Sequence, residues 1–430
     1  MANQIEIILG FLAIVVLFGV LARWLRVPYP ILLVVGGLLL SLQDWVPRLK
    51  LEPDIIFLVF LPPLLYSAAF NTEWRHFRRQ LRAIGLLAIG LVIFTTTLVA
   101  IVAHEFIGLP WASGFILGAI VSPPDAVAAT AITQRLKVPK MLSTILEGES
   151  LVNDASALVA LRIAFSCVAY TAFDPVRAGL EFLWVSVGGV AVGLIGAILM
   201  IQIHRFLTRT KLGDAKINIA ITLLTPYAVY LPAEQIHVSG VLAVVAAGLW
   251  IGTRCKAVFT FEFYQEAKAV WEMIEFLLNG VIFILIGLQL PLVLESLGDH
   301  HSPYDLAIFA VLISAVVIIA RMVWVFPGAY LPRLFDRHVL GKPDAFPPWQ
   351  AVTVVGWTGM RGVVSLAAAL AIPTTVNDCA VEGRSLIQFI TFWVIFATLV
   401  GQGLTLPLLI RVLGISKLPE NDPGEMPSRC

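Results

Sequence analysis

The sequence predicts an all-α membrane protein with about thirteen transmembrane helices. Its 430 residues are 59% hydrophobic and only 13% charged, whereas a soluble domain has about 25% charged residues. The mean hydropathy is +0.90, and so much apolar surface cannot be buried in one globular core. In addition, basic residues recur at every second connection between apolar runs, as they do in multi-pass membrane proteins.

Apolar runs of about 20 residues can each cross the hydrocarbon core of a bilayer as a helix. The predicted spans are 5–22, 29–43, 54–71, 82–104, 111–131, 143–171, 184–207, 217–232, 237–252, 270–291, 303–328, 349–373 and 386–410. The first run lacks a preceding basic segment and a small-residue cleavage site, which favours a transmembrane helix over a cleavable signal peptide.

Arginine and lysine orient these spans, because basic residues gather on the cytoplasmic side. The connections after odd-numbered spans are rich in both residues. The alternate connections hold only Arg48, Lys50, Arg177 and Arg384. This alternation predicts an amino terminus outside the cell and a carboxyl terminus in the cytoplasm. The polar residues 414–430 are expected to form a short, disordered cytoplasmic tail.

Charge and cysteine content exclude several classes of function. The chain has 29 basic and 28 acidic residues, a net charge of +1, and therefore no footprint for nucleic acid. The four cysteines are far apart in the sequence and form no CxxC pair, so they imply neither a zinc site nor a disulfide framework. No cofactor is expected, and membrane lipid is expected to surround the protein.

A few ionisable residues lie deep inside predicted spans. A charge at the bilayer centre costs about 2.5–3.5 kcal/mol even on the mildest scale, so such a group faces protein or water. Each is a candidate for function by default. The set comprises Asp125, Glu149, Asp154, Arg162, Arg321 and Arg361.

The sixth span, with the sequence LEGESLVNDASALVALRIAF, carries most of the acidic candidates. Asp154, Ser150 and Glu147 share one helical face, and Asn153 and Glu149 share the neighbouring face. Carboxylate and hydroxyl oxygens are hard ligands that suit a small hard cation. Desolvation disfavours the charged form of an aspartate, so one group could carry either a proton or a metal cation.

A structural role is the alternative for these charges. Glu149 could join two helices by pairing with Arg361, and Arg162 could extend towards the membrane surface or pack against a neighbour. For Asp154 the binding role is favoured, because the neutral Asn153 beside it resembles a ligand amide and not a counter-ion.

Two spans are predicted to be interrupted at membrane depth. Pro123 and Pro124 remove two backbone donors in the fifth span and disfavour helix at the residue before them. Gly359 and Gly362 loosen the twelfth span around Arg361. Interrupted helices are tolerated only beside protein or a water-filled cavity, and a pair of them in the two halves of a chain points to a transporter with inverted repeats.

The two breaks also carry charges that suit exposed half-helix ends. Asp125 follows the proline pair and is expected near the positive amino end of the next half-helix. Arg361 supplies positive charge at the other break. Both residues could stabilise the crossing of the two interrupted helices and need not bind an ion.

Four motifs, GESLVNDASALV, SPPDAVAAT, TGMRGVVSLAAAL and GQGLTLPLLIRVLG, together resemble sodium/proton antiporters of the monovalent cation:proton antiporter-1 group. That group includes the bacterial NhaP-like proteins and the animal Na⁺/H⁺ exchangers. The resemblance extends from about Phe60 to Leu413. It implies a membrane domain over 1–413 that exchanges a monovalent cation, Na⁺ with Li⁺ or K⁺ as alternatives, for H⁺ in a bacterial plasma membrane.

The resemblance also implies an architecture and residue roles. It implies a homodimer, with a dimerisation part and a mobile core that carries the spans near 111–131, 143–171 and 349–373. Asp154 would carry Na⁺ or H⁺, supported by Asn153 and Ser150. Asp125 matches the aspartate of the first unwound helix, and Glu149 and Arg361 match a structural ion pair. The Asn-Asp pair resembles that of electroneutral, one-for-one exchangers.

The chain departs from the family pattern at three positions. Many NhaP-like relatives have a glutamate after PPLLF in the third span, where this chain has Ser67, preceded by Tyr66. Pro124 replaces the usual threonine before the aspartate, and Ala126 replaces the proline after it. These differences leave the ion preference open between Na⁺, Li⁺ and K⁺.

The sequence argues against two other classes of membrane protein. A channel usually needs rings of carbonyls or charges from several subunits, and the sequence has no TVGYG-like run. A membrane protease with zinc is unsupported, because HEFIG at His104 lacks the second histidine of HExxH. The favoured reading is therefore a secondary transporter and not an enzyme.

Overall fold

The computed structural model describes residues 2–25, 27–43, 52–136, 138–169, 175–210, 214–258, 261–298, 302–339, 346–376 and 379–415. The predicted tail therefore lies, from residue 416 onward, outside the described residues. Helices dominate the described part of the chain, which confirms the predicted all-α class. The small exception is an antiparallel pair of two-residue strands, β1 (Thr375–Val376) and β2 (Cys379–Ala380).

The helices of the first part of the chain are α1 (Ala2–Leu25), α2 (Tyr29–Ser41), α3 (Pro53–Ile55), α4 (Leu61–Asn71), α5 (Trp74–Arg79), α6 (Leu81–Gly85), α7 (Val92–Val102), α8 (Trp111–Val121), α9 (Ala126–Arg135) and α10 (Lys140–Ala169). Wider, π-helical turns continue several of them without a break, at Ile56–Phe60, Leu86–Leu91 and Ala103–Ile107. The helix from α3 to α4 and the helix from α6 to α7 are therefore long enough to cross a membrane.

The helices of the second part are α11 (Pro175–Thr210), α12 (Ala215–Gln235), α13 (Gly240–Val258), α14 (Phe261–Leu288), α15 (Leu290–Leu297), α16 (Pro303–Val339), α17 (Trp349–Trp357), α18 (Val363–Leu370), α19 (Arg384–Phe396) and α20 (Gly403–Val412). A π-helical stretch, Ala397–Gln402, joins α19 to α20.

Length and hydropathy support a multi-pass membrane protein. Among the described residues, eight helices are long and apolar enough to cross a membrane, and three shorter apolar helices occur at Leu9–Leu25, Tyr29–Ser41 and Gly240–Arg254. The two remaining predicted spans coincide with α12 and with the pair α17 and α18. The count of thirteen crossings, the inverted repeats and the orientation of the termini stay predictions.

Small residues allow helices to approach closely, as is common in membrane proteins. A Cβ atom added to Gly37 of α2 would collide with the Ile284 carbonyl of α14, and one added to Gly287 would collide with the Val34 carbonyl. Gly193 of α11 meets the backbone of α13 in the same way. These contacts bring together α2 with α14 and α11 with α13.

Helix α10 carries the polar motif and lies among other helices. It contacts α4, α6, α7, α8, α9, α11 and α13. Glu149, Asn153 and Asp154 on this helix are buried in protein, as the cost of an ionisable group in hydrocarbon requires. This position places Glu149, Asn153 and Asp154 beside the interruption between α8 and α9.

Candidate functional site

Two interrupted helices meet at their breaks. The first break lies between α8 and α9 at residues 122–125, and the second lies between α17 and α18 at residues 358–362. The Asp125 backbone N–H donates to the Met360 carbonyl over 2.7 Å. Both predicted interruptions are thus observed, with Pro123 and Pro124 in one and Gly359 and Gly362 in the other.

The Asp125 carboxylate serves the amino ends of both following half-helices. It accepts hydrogen bonds from the backbone N–H of Val127 in α9, at 2.8 Å, and of Val363 in α18. The first backbone N–H groups of a helix have no partner within the helix, and a negative charge is favourable there. A Cβ at Gly362 would overlap this carboxylate, so the close approach requires glycine.

Arg361 contacts the carboxyl ends of the two preceding half-helices, α8 and α17. Its Nε donates to the Val121 carbonyl at the end of α8, over 2.9 Å, and its Nη1 donates to the Gly359 carbonyl just beyond α17. The guanidinium is 1% exposed. Carbonyl groups at a helix carboxyl end lack partners and carry a partial negative charge, which explains the position of a buried cation here.

The predicted ion pair between Glu149 and Arg361 was wrong. Glu149 instead pairs with Arg321 of α16 through two parallel hydrogen bonds, Nη1–Oε1 at 2.5 Å and Nη2–Oε2 at 2.8 Å. The exposed fractions are 1% for Glu149 and 0% for Arg321. The flat guanidinium of Arg321 matches the carboxylate in this bidentate geometry, whereas Arg361 is occupied by the carbonyl groups of the crossing.

Ser150 and Asn153 of α10 hold the break between α8 and α9. Ser150 Oγ accepts a hydrogen bond from the Ala126 N–H over 3.3 Å. Asn153 Nδ2 donates to the Pro124 carbonyl over 2.8 Å, which fixes the orientation of the amide because only its nitrogen can donate. Asn153 Oδ1 is buried and has no hydrogen-bond partner, although buried acceptors are nearly always paired.

Asp154 lies beside these groups without a partner. Its exposed fraction is 6%, and no described residue donates a hydrogen bond or an ionic contact to its carboxylate. It lies within electrostatic range of Asp125. The structure therefore brings together all four predicted binding residues, Asp125, Ser150, Asn153 and Asp154. Two acceptors, the Asp154 carboxylate and Asn153 Oδ1, are left for a ligand.

Such an arrangement suits a small hard cation or a proton. A carboxylate and an amide oxygen are the ligand types that alkali and alkaline-earth ions prefer. The described residues contain no group of three or more His, Cys, Asp or Glu side chains that could hold a metal ion.

Two further contacts were not predicted from the sequence. Ser67 of α4 donates a hydrogen bond to Glu275 Oε1 of α14, and Arg162 of α10 pairs with Glu234 of α12 over 3.0 Å. Arg162 therefore contacts a neighbouring helix, which is the second of the two structural roles expected for it. Glu275 lies five residues inside the predicted span 270–291, and an acidic residue within a predicted span is the signal that could have identified it.

The sequence comparison identifies the family. Residues 10–412 match the family model described as "Sodium/hydrogen exchanger, transmembrane". The chain belongs to the sodium/hydrogen exchanger family. This exchanger is therefore a transporter that carries out cation/proton antiport, and it is a multi-pass integral protein of the bacterial plasma membrane.

Individual relatives agree with this assignment. The exchanger is 34% identical over 419 residues to an uncharacterized Na(+)/H(+) exchanger of Mycobacterium tuberculosis, covering 96% of this chain and 75% of the relative. It is 31% identical over 411 residues to a sodium, potassium, lithium and rubidium/H(+) antiporter of Bacillus subtilis, covering 94% of this chain and 61% of that protein.

A solved structure has the same fold. The sodium proton antiporter MjNhaP1 of Methanocaldococcus jannaschii at pH 8 matches with a TM-score of 0.67 and 21% identity. The match covers 96% of this exchanger and 100% of the other chain. At this identity the likeness concerns the helical fold.

Proposed function

We propose that this exchanger moves one Na⁺ in exchange for one H⁺ per cycle, with Asp154 carrying either ion. The observation that supports this most directly is the pair of buried acceptors without partners, the Asp154 carboxylate and Asn153 Oδ1. A proton or a cation would satisfy them. Because both ions use the same carboxylate, binding of one excludes the other.

Charge counting favours one-for-one exchange. The residue before Asp154 is the neutral Asn153, and the Asp125 carboxylate is engaged by two backbone N–H groups. Glu149 is neutralised by Arg321. Among the described residues of the crossing, Asp154 is then the carboxylate that neither an arginine nor a backbone N–H engages, and a site with one such group carries one proton or one monovalent cation.

Alternating access would follow from movement of one part of the molecule against another. In this proposal the membrane domain 1–413 contains a mobile core with α8, α9, α10, α17 and α18, and the remaining helices form a dimerisation part. A homodimer fits the long apolar face that α11 exposes, with Leu183, Trp184 and Val187 on its surface. Residues 414–430 would form the cytoplasmic tail.

A broader cation range is the second candidate. The Bacillus subtilis relative is named as an antiporter of sodium, potassium, lithium and rubidium. Ser67 also stands where many relatives have a glutamate, and a weaker field at the site would discriminate less between alkali ions. K⁺ and Li⁺ are therefore tested beside Na⁺.

Purified protein in proteoliposomes tests the proposal. Cation-driven dissipation of an imposed pH gradient is measured with Na⁺, Li⁺ and K⁺, with and without a membrane voltage. The expected result is exchange that is insensitive to voltage in the unmodified protein and absent in Asp154→Asn. Glu266→Gln, an exposed acid on α14, is the control. Full exchange by Asp154→Asn would refute the assignment, and a rate that follows the voltage would refute one-for-one exchange.

A further inference from the structure

Glu275 is a carboxylate inside a predicted membrane span, and it has no basic partner among the described residues. It lies five residues, or about 7.5 Å, beyond the first residue of the span predicted over 270–291, and it is half-buried. No described lysine, arginine or histidine forms an ion pair with it. An ionisable group at membrane depth normally pairs or faces a water-filled path.

Two other carboxylates that are shielded from solvent have basic partners. Glu149 pairs with Arg321, and Glu234, near the end of α12, pairs with Arg162. Glu147, which has no basic partner in the described part of the chain, is half-buried and lies seven residues from the start of α10. Glu147, Asp154 and Glu275 thus share one property, a carboxylate without a counter-ion among the described residues.

A hydroxyl group faces Glu275 from another helix. Ser67 of α4 donates to Glu275 Oε1, and Ser67 is only 2% exposed. Asn71 Nδ2, one turn further along α4, donates to the Ser67 carbonyl over 3.0 Å. This chain of contacts holds the hydroxyl oxygen beside the carboxylate, and both are hard oxygen ligands.

An unpaired amide oxygen lies on the same face of α14. Asn279 is four residues after Glu275, so the two side chains stand one above the other. Asn279 is 6% exposed, and its Oδ1 has no hydrogen-bond partner. A buried acceptor without a partner is rare, and it repeats the pattern of Asn153 beside Asp154.

Tyr29 connects this group to the crossing of the interrupted helices. Its phenol lies within electrostatic range of both Asp125 and Glu275, and its ring centroid is 5.9 Å from that of Phe276 on α14. Glu275 therefore belongs to the surroundings of the crossing. Tyr29, Asp125 and Glu275 are all half-buried, which leaves part of each accessible.

We infer that Glu275 and Ser67 form a second binding position for the transported monovalent cation, beside the position at Asp154. This inference rests on the proposed function and adds a residue to it. The Glu275 carboxylate provides the negative charge of this position, and the Ser67 hydroxyl provides a second oxygen from a different helix. A cation at Glu275 is the counter-ion that the protein itself does not provide.

The test measures the Na⁺ concentration for half-maximal exchange in proteoliposomes. Glu275→Gln keeps the shape and the acceptor for Ser67 but removes the charge, and we expect this concentration to rise at least tenfold while the maximal rate is retained. Tenfold corresponds to about 1.4 kcal/mol. Glu266→Gln on the same helix is the matched control and is expected to behave like the unmodified protein.

A swap of the two side chains distinguishes charge from packing. Ser67→Glu combined with Glu275→Ser returns one carboxylate to the same contact, and the half-maximal concentration is expected to recover to within about threefold of the unmodified value. If the swap does not fold, Glu275→Asp replaces it, because it keeps the charge on the same helix face.

An unchanged half-maximal concentration in Glu275→Gln overturns the inference. A rise that neither charge-restoring variant relieves also overturns it, since the contact would then only join α14 to α4. Asp154→Asn is measured in the same preparation. Exchange that persists in Asp154→Asn contradicts the proposed function, whereas an unaffected Glu275→Gln beside an inactive Asp154→Asn contradicts only the second position.

Discussion

Removing Arg321 should destabilise this exchanger severely, because it leaves the Glu149 carboxylate buried without a counter-ion. The two side chains are 0% and 1% exposed and share two hydrogen bonds of 2.5 and 2.8 Å. Removing one partner of such a buried pair costs about 3–5 kcal/mol. The folded fraction relative to the unfolded fraction would then fall by between two and four powers of ten.

The double variant Glu149→Gln with Arg321→Met should lose less than Arg321→Met alone. Neither remaining group carries a charge, so the largest desolvation cost disappears. The free energy of unfolding is measured by denaturant titration in detergent micelles, followed by tryptophan fluorescence. Arg162→Met is the matched control: it breaks a half-exposed pair, and such pairs contribute about 0.2–1 kcal/mol.

Two results would refute this reasoning. One is a loss below about 1 kcal/mol in Arg321→Met, which would mean that Glu149 finds another partner or water. The other is additivity, in which the double variant loses the sum of the two single losses. Coupled residues in direct contact are expected to deviate from additivity by about 0.5–3 kcal/mol.

Three further predictions concern the crossing and the binding residues. Gly362→Ala places a Cβ against the Asp125 carboxylate, so thermal stability and exchange rate should both fall. The control Gly85→Ala, whose Cβ meets no atom within 4 Å, should leave both unchanged. Equal behaviour of the two variants would contradict the close contact. Asn153→Ala removes an unpaired oxygen and should raise the Na⁺ concentration for half-maximal exchange about tenfold; an unchanged value in the exchange assay would exclude this oxygen as a ligand. Lowering the pH on the side from which Na⁺ binds should raise the Na⁺ concentration for half-maximal exchange without changing the maximal rate, because protons and Na⁺ compete for Asp154. A fall in the maximal rate at a constant half-maximal concentration would instead indicate two independent sites.

Local sequence rules predicted the elements of the site well. The proline pair and the glycines mark residues 122–125 and 358–362 as interruptions, because proline removes backbone donors and glycine weakens a helix. Helical spacing placed Ser150 and Asp154 on one face. Each of these inferences depends on residues within about two turns of one another, and the structure brings the predicted binding residues together.

Contacts between distant segments could not be predicted in this way. Glu149 could have paired with either buried arginine, and the sequence contains no information on which one lies opposite. Arg321 is 172 residues away along the chain and Arg361 is further still. The crossing of the interrupted helices determines which arginine pairs with Glu149, because a carbonyl group at the crossing accepts a hydrogen bond from Arg361. The contact between Ser67 and Glu275, 208 residues apart, was missed for the same reason.

The ion pair between Arg162 and Glu234 sets a condition on any sliding of α10 past α12. Its Nη2 and Oε2 atoms are 3.0 Å apart, and both side chains are partly in contact with solvent. This ion pair must break whenever these two helices separate, and water can then solvate both charges. Breaking the pair then costs only about 0.2–1 kcal/mol. The ion pair can therefore favour the resting conformation without slowing the repeated conformational cycle of a transporter.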